Sequence, residues 1–237
     1  MFEEIKKIIK AIRNLTLRFY FFSITIFSQI YYRLLNKPLI HVVGDSHVFV
    51  FKDKRMFIAH HIGPATMYNL NKKDSNTKSN EKLFDVINKI NRKKDILMLV
   101  FGEINCRIHI YYQYKKQNEK FTIIELIDRT ISNYGEVLKK IKENGVRFCV
   151  YGIPAAATEK NIYNYPFYAT PEIHSYIYKE FNNRLKHFCE KNKYVYIDIY
   201  PKVSDDKGYI SKEFSGDKIH LNKKIVNFVR EEVLKNI

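Results

Sequence analysis

The sequence predicts an α/β fold, a three-layer α/β/α sandwich on a five-stranded parallel sheet, preceded by an N-terminal amphipathic helix. From Leu39 onward, short β-branched or aromatic runs alternate with long amphipathic stretches. The short runs are apolar nearly throughout rather than alternating, as strands covered on both faces require. The long stretches carry helix start and stop residues. The 237 residues, 46% of them apolar, are enough to fill such a core, which excludes disordered and collagen-like chains. No internal repeat and no Gly/Ser linker divides residues 38–237, so they are expected to form one domain, with residues 1–37 as an appended helix.

In that first segment Phe2, Ile5, Ile8, Ile9, Ile12, Leu15, Phe19, Phe22 and Ile26 recur at helical steps. Lys6, Lys7, Lys10, Arg13 and Asn14 take the other side of the wheel. The apolar run from Phe19 to Tyr32 falls short of the roughly 20 residues a spanning helix needs. Tyr31, Tyr32 and Arg33 follow it where a secretory signal would have small residues. The expected role is an interfacial helix on an anionic membrane; a dimerisation or core-packing helix and a short signal anchor are the alternatives.

The five strands are expected at Leu39–Val43, Phe57–His61, Ile96–Phe101, Val146–Tyr151 and Tyr194–Ile199. Thr122 and Glu125 form a capping-box signature ahead of Ile127, Ile131, Tyr134, Val137, Leu138 and Ile141, and Gly145 sits where the C-terminal cap belongs. Thr170-Pro171 opens the next helix, with Ile173, Ile177, Phe181, Leu185 and Phe188 on one face, and a last helix begins near Asn222.

Lys and Arg outnumber Asp and Glu by 41 to 25, a formal charge of +16 that favours acidic partners, although a lysine-rich coding bias produces the same excess. No basic helix is laid out for a nucleic-acid groove, so nucleic acid is not expected. Cys106, Cys149 and Cys189 lie far apart without a CxxC, which argues against a disulfide framework or zinc knuckle. Cys149 and Cys189 are expected in the core. A reducing, cytoplasmic setting follows, with peripheral contact to the inner face of the membrane through residues 1–36. The sequence leaves the oligomeric state open.

Ligands of open α/β sheets bind beyond the carboxyl ends of the strands. There the sequence places Gly44-Asp45-Ser46-His47, His61-Ile62-Gly63-Pro64-Ala65-Thr66 and Gly102-Glu103-Ile104-Asn105-Cys106-Arg107; Gly216-Asp217-Lys218-Ile219-His220 precedes the last helix. Ser46, at a tight strand-to-helix turn, is a candidate nucleophile that needs a base to take its proton. His220 is the best candidate base, with Asp217 three residues earlier to hold the imidazole tautomer. Asp45-Ser46-His47 also contains a D-x-H element of the kind that opens metallophosphoesterase sites, with His60, His61 and His109 as further ligand candidates. The companion motifs GDxxD and GNH[DE] are missing, so no metal and no cofactor is expected.

These blocks resemble the SGNH, or GDSL-type, hydrolase superfamily over roughly residues 39–235: Gly44-Asp45-Ser46 matches its first block, Gly63 its second and Asp217-Lys218-Ile219-His220 its last. The resemblance implies a flavodoxin-like sandwich and a metal-free esterase or acyltransferase. Ser46 would be the nucleophile, Asp217 and His220 its partners, and the Ser46 and Gly63 amides part of an oxyanion hole. The third block departs from the pattern Gly-x-Asn-Asp, since Ile104 stands where the donor asparagine belongs. Asn105, or next Arg107, is expected to supply that donor; alternatively the site is impaired, or Glu103 and Arg107 form a structural pair. The FGEINCR stretch more loosely resembles a subgroup linked to bacterial surface-polysaccharide genes. The expected substrate is therefore an O-acyl, above all O-acetyl, ester of a carbohydrate or cell-envelope glycan, or a small acyl ester. A catalytically weak glycan-binding or assembly protein is the alternative. Residues 105–120, with Arg107, His109, Tyr111, Tyr112 and Tyr114, and residues 153–170, with Tyr163, Tyr165, Phe167 and Tyr168, are the segments expected to shape a substrate pocket, without any one assigned to binding.

Overall fold

The apolar runs pair as five parallel strands in the order β2-β1-β3-β4-β5. These are β1 (Ile40–Gly44), β2 (Phe57–His61), β3 (Ile96–Val100), β4 (Phe148–Tyr151) and β5 (Val195–Ile197). The structure is a computed structural model and describes residues 26–52, 54–72, 74–158, 167–217 and 219–237, together with Glu4, Lys6 and Ser23. Most of the N-terminal stripe, from Phe2 to Phe22, and the substrate-loop residues Tyr163 and Tyr165 lie outside the described residues.

Alternate strand residues feed two cores. Val43, Leu97, Leu99 and Val150 pack with α2 (Ser79–Lys89), α4 (Ile123–Glu143) and α5 (Pro171–Lys191). Ile40, Val42, Ile96, Met98 and Cys149 pack on the other side with a 3-10 helix (Ser46–Phe51), α6 (Tyr200–Val203) and α7 (Ile225–Asn236). Burial on both faces explains the missing polar alternation. Cys106, Cys149 and Cys189 are buried free thiols.

Local signals account for the starts of the two longest helices, α4 and α5. Thr122 and Glu125 form the full capping box of α4, and Thr170 caps α5 with Pro171 in its first turn. Helix α2 carries no such signal: Lys78 precedes it with φ 49° and no capping side chain, and its place is set by Leu83 and Ile87 in the core. Strand β5 ends at Ile197, earlier than expected, because Tyr200-Pro201 starts the α6 turn. The last helix begins at Ile225, after a loop that Asn222 braces.

Before the sheet, α1 spans 26–34. Arg33 holds it to the domain by donating from both terminal nitrogens, at 2.6 Å each, to the fully buried Asp95 carboxylate, which also accepts the Leu39 N–H. These bonds outweigh the burial that would raise the Asp95 carboxyl, and hold it below its ordinary value. Phe27, Ile30, Tyr31 and Leu34 remain exposed on α1. No helix among the described residues is long and apolar enough to cross a membrane.

Candidate active site

Register places the site. Gly44 pairs with His61 on β2 and Val100 on β3, so the turns after these three strands leave the sheet at one edge. Gly44 is required by proximity: a Cβ there would lie 1.9 Å from the Val100 carbonyl oxygen. Asp45 caps the 3-10 helix by accepting the His47 N–H at 3.0 Å, which leaves Ser46, the first helical residue, half-buried at the rim.

The loop before α7 meets this turn. Asp217 Oδ1 accepts the N–H groups of Ile219 and His220 at 2.8 and 2.7 Å, so the carboxylate folds its own loop. Its other oxygen, Oδ2, is 2.8 Å from His220 Nδ1. With that nitrogen donating to Asp217, His220 Nε2 is left to accept from the Ser46 hydroxyl, 2.9 Å away. Burial raises the Asp217 carboxyl, but the bonds from the two backbone amides and the imidazole outweigh it and hold the group below the usual carboxylate range.

His47 plays a part the sequence did not reveal. It is buried, its Nδ1 lies 2.9 Å from Asp45 Oδ1, and its Nε2 lies 3.2 Å from the Ile219 carbonyl. Acceptors at both ring nitrogens call for the doubly protonated ring. Burial opposes that charge, but Asp45, the nearby Glu103 and the Ile219 carbonyl favour it, and the pKa is raised to about 9. The ring packs 4.7 Å from that of His220 and ties the first turn to the last loop.

Gly63, after β2, adopts φ 97°, a left-handed conformation that favours glycine. The Ile62 N–H donates to the Gly44 carbonyl, which holds the Gly63 turn beside the Ser46 turn. Asn105 and Arg107 are both bonded to other parts of the fold. Asn105 is buried, and its carboxamide oxygen accepts the Met67 N–H at 2.9 Å. Arg107 Nε donates to Glu103 at 2.6 Å, and Tyr178 donates to the same carboxylate oxygen at 2.8 Å. The Met67 bond uses the Asn105 oxygen and leaves its NH₂ group, the donor an oxyanion role needs, uncommitted, whereas Arg107 is held in the structural Glu103–Arg107 pair. Their helix explains the shift: Asn105–His109 is a single π turn running into α3 (Ile110–Lys116), which winds these side chains inward.

Beside Ser46 lies a groove of about 460 Å³, walled by Phe49, Val50, Tyr151, Pro154 and Leu221 around Ser46, Asp217 and His220. Neither Asn105 nor Arg107 lines it. The other candidate ligands disperse: His60 stacks on His41, with ring nitrogens 3.0 Å apart, and His61 packs against Phe49 at the rim. Among the described residues no three His, Cys, Asp or Glu side chains converge as metal ligands. Tyr112 and Phe167, 6.2 Å apart, bring the two expected substrate segments into contact.

No protein-family model matches the chain, and no curated protein does. Solved structures do. A protein described as an acylhydrolase of Bacteroides fragilis aligns over 86% of this chain and 92% of its own, at 17% identity and a TM-score of 0.53. A GDSL-like lipase of Bacteroides thetaiotaomicron aligns over 87% and 95%, at 14% identity and a TM-score of 0.53. A Streptococcus pneumonia protein described as a platelet activating factor aligns over 95% and 98%, at 13% identity and a TM-score of 0.57. The chain has the three-layer fold of the SGNH, or GDSL-type, hydrolases.

Proposed function

We propose that the protein is a serine esterase that removes O-acyl groups, foremost O-acetyl, from a carbohydrate or cell-envelope glycan. The observation that carries this reading is the hydrogen-bonded series Ser46 Oγ, His220, Asp217 at 2.9 and 2.8 Å. In this mechanism Ser46 attacks the ester carbonyl as His220 Nε2 takes its proton. Asp217 holds the other ring nitrogen and stabilises the imidazolium. Charge on the tetrahedral oxygen is met by the backbone N–H groups of Ser46 and Gly63. His220 then returns the proton to the leaving sugar oxygen, and water, or an acceptor hydroxyl in the transferase variant of the reaction, resolves the acyl-enzyme. The small apolar-walled groove suits a short acyl group.

Fluorophosphonate labelling and acetate release from an O-acetylated polysaccharide test this. Labelling of the wild type and none of a folded Ser46→Ala variant is expected; equal labelling of both overturns the nucleophile. The inward turn of Asn105 and Arg107 favours a second reading, a catalytically weak glycan-binding or assembly protein. That reading is upheld if glycan binds equally to wild type and Ser46→Ala without measurable turnover.

We further propose that α1 rests on an anionic membrane, supported by its exposed Phe27, Tyr31 and Leu34 and by the lysines of the preceding sequence. Flotation of the full chain with anionic vesicles, lost in Phe27→Glu/Leu34→Glu, is the expected result; no flotation of the wild type overturns it.

A further inference from the structure

A second cavity, of about 340 Å³, opens between the Thr66–Lys72 segment, the helical arm from Asn105 through α3, and α4. It shares no lining residue with the serine groove. Asn105, His109, Gln113 and Gln117 line it at four-residue intervals, one continuous stripe along the arm. The inward stripe of a helix packed on its neighbour is ordinarily apolar. This one carries three carboxamides and an imidazole.

Their internal bonds leave donors to spare. Asn105 spends its oxygen on Met67 and Gln113 its oxygen on Gln117, so both NH₂ groups remain for the cavity. Burial, with Arg107 nearby, lowers the His109 pKa, so its ring is neutral and offers one donor and one acceptor.

Across from the stripe stand Lys72 and Arg129, and no carboxylate lines the cavity. The two acids of α4 beside Arg129 make their hydrogen bonds elsewhere, Glu125 accepting the Thr122 N–H and hydroxyl and Asp128 pairing with Arg184, so Glu125 acts on Arg129 only through its charge at longer range. Arg129 has no carboxylate within 4 Å among the described residues, and its guanidinium lies 3.7 Å over the Phe121 ring, which fixes its plane and leaves its N–H edges free. Two cations with no ion-pair partner within 4 Å among the described residues, beside a row of amides, match a ligand with one carboxylate and several hydroxyls.

We propose that this cavity binds an acidic sugar, its carboxylate on Lys72 and Arg129 and its hydroxyls on Gln113, Asn105 and His109. The site does not depend on the esterase chemistry. It gives the protein a means of holding an anionic glycan apart from the reacting serine.

Titration calorimetry of the full chain with D-glucuronate, D-glucose and inorganic phosphate tests this. D-Glucuronate is expected to bind at millimolar concentration, with glucose and phosphate each at least tenfold weaker. Arg129→Gln and Gln113→Ala, both at accessible positions, are expected to weaken glucuronate at least fivefold with unchanged melting temperature, and Ser46→Ala to leave it unchanged. No glucuronate binding, equal binding of glucose or phosphate, unchanged affinity in both cavity variants, or loss of binding in Ser46→Ala each overturns the proposal. Fluorophosphonate labelling is unaffected by any of these results, so this inference and the esterase reading fail separately.

Discussion

Two glycine-led turns leave the same edge of the sheet and serve different ends. After β1, Ser46 meets His220 and Asp217 across a gap of 174 and 171 residues in sequence, and all three side chains keep contact with solvent. After β3, Glu103, Asn105 and Arg107 are as polar as the first set, yet they bond to Tyr178, Met67 and one another inside the protein. Polar residues at a strand end therefore do not make a reactive site by position alone. What separates the two turns is whether the side chains face the serine groove or bond mainly within the fold.

The comparison can be broken where its contrast is greatest. On the esterase proposal, Ser46→Ala and His220→Ala should each lower ester turnover by about 10⁴ or more, with the double variant no worse, the pattern of groups that act as a unit. Steady-state hydrolysis of an acetyl ester checks this, and additive losses would show that they do not act together. Asp217→Asn is expected to cost about 10²–10⁴ in turnover through the wrong imidazole tautomer, with labelling slowed in parallel.

Across the edge the expected currency is stability. Glu103→Ala leaves Arg107 nearly buried without its carboxylate and should cost about 3 kcal/mol in urea unfolding. Labelling of Ser46 in the folded fraction should persist.

His47 lies between the two sets and sharpens the contrast through pH. Its folded pKa, raised to about 9, exceeds the unfolded value of 6.5. Its contribution is therefore fully present below pH 6.5 and is lost as pH rises through 9, a decline of about 3 kcal/mol. Denaturant titrations across that range should show the decline in the wild type and a flatter profile in His47→Gln.

The smallest effect is the most discriminating. Asn105→Ala should cost about 1–2 kcal/mol of stability by leaving the Met67 N–H unpaired. An oxyanion role would instead give about a 10²-fold rate loss with stability intact.

Much of this was legible in the sequence because it is local. The strand runs, the capping box at Thr122 and Glu125 and the cap at Thr170 each act within a few residues, and Asp217-x-x-His220 folds as its own loop. The unreadable parts depend on distant partners. Asn105 takes its role from Met67, 38 residues earlier, and His47 takes its own from the Ile219 carbonyl, 172 residues later. The amide stripe from Asn105 to Gln117 was present as a four-residue period, but only the packing against α4 reveals that it faces inward.

The clasp between Arg33 and Asp95 fixes where α1 joins the domain. Asp95 precedes the first residue of β3, so α1 joins the domain where the strands begin, and Ser46 sits where β1 ends, five residues or roughly 17 Å further along. A bilayer gripped by Phe27, Tyr31 and Leu34 would lie under the floor of the sheet and leave the serine mouth opening toward water. If the membrane and esterase proposals both hold, the serine mouth would face substrates in the aqueous phase rather than lipid headgroups.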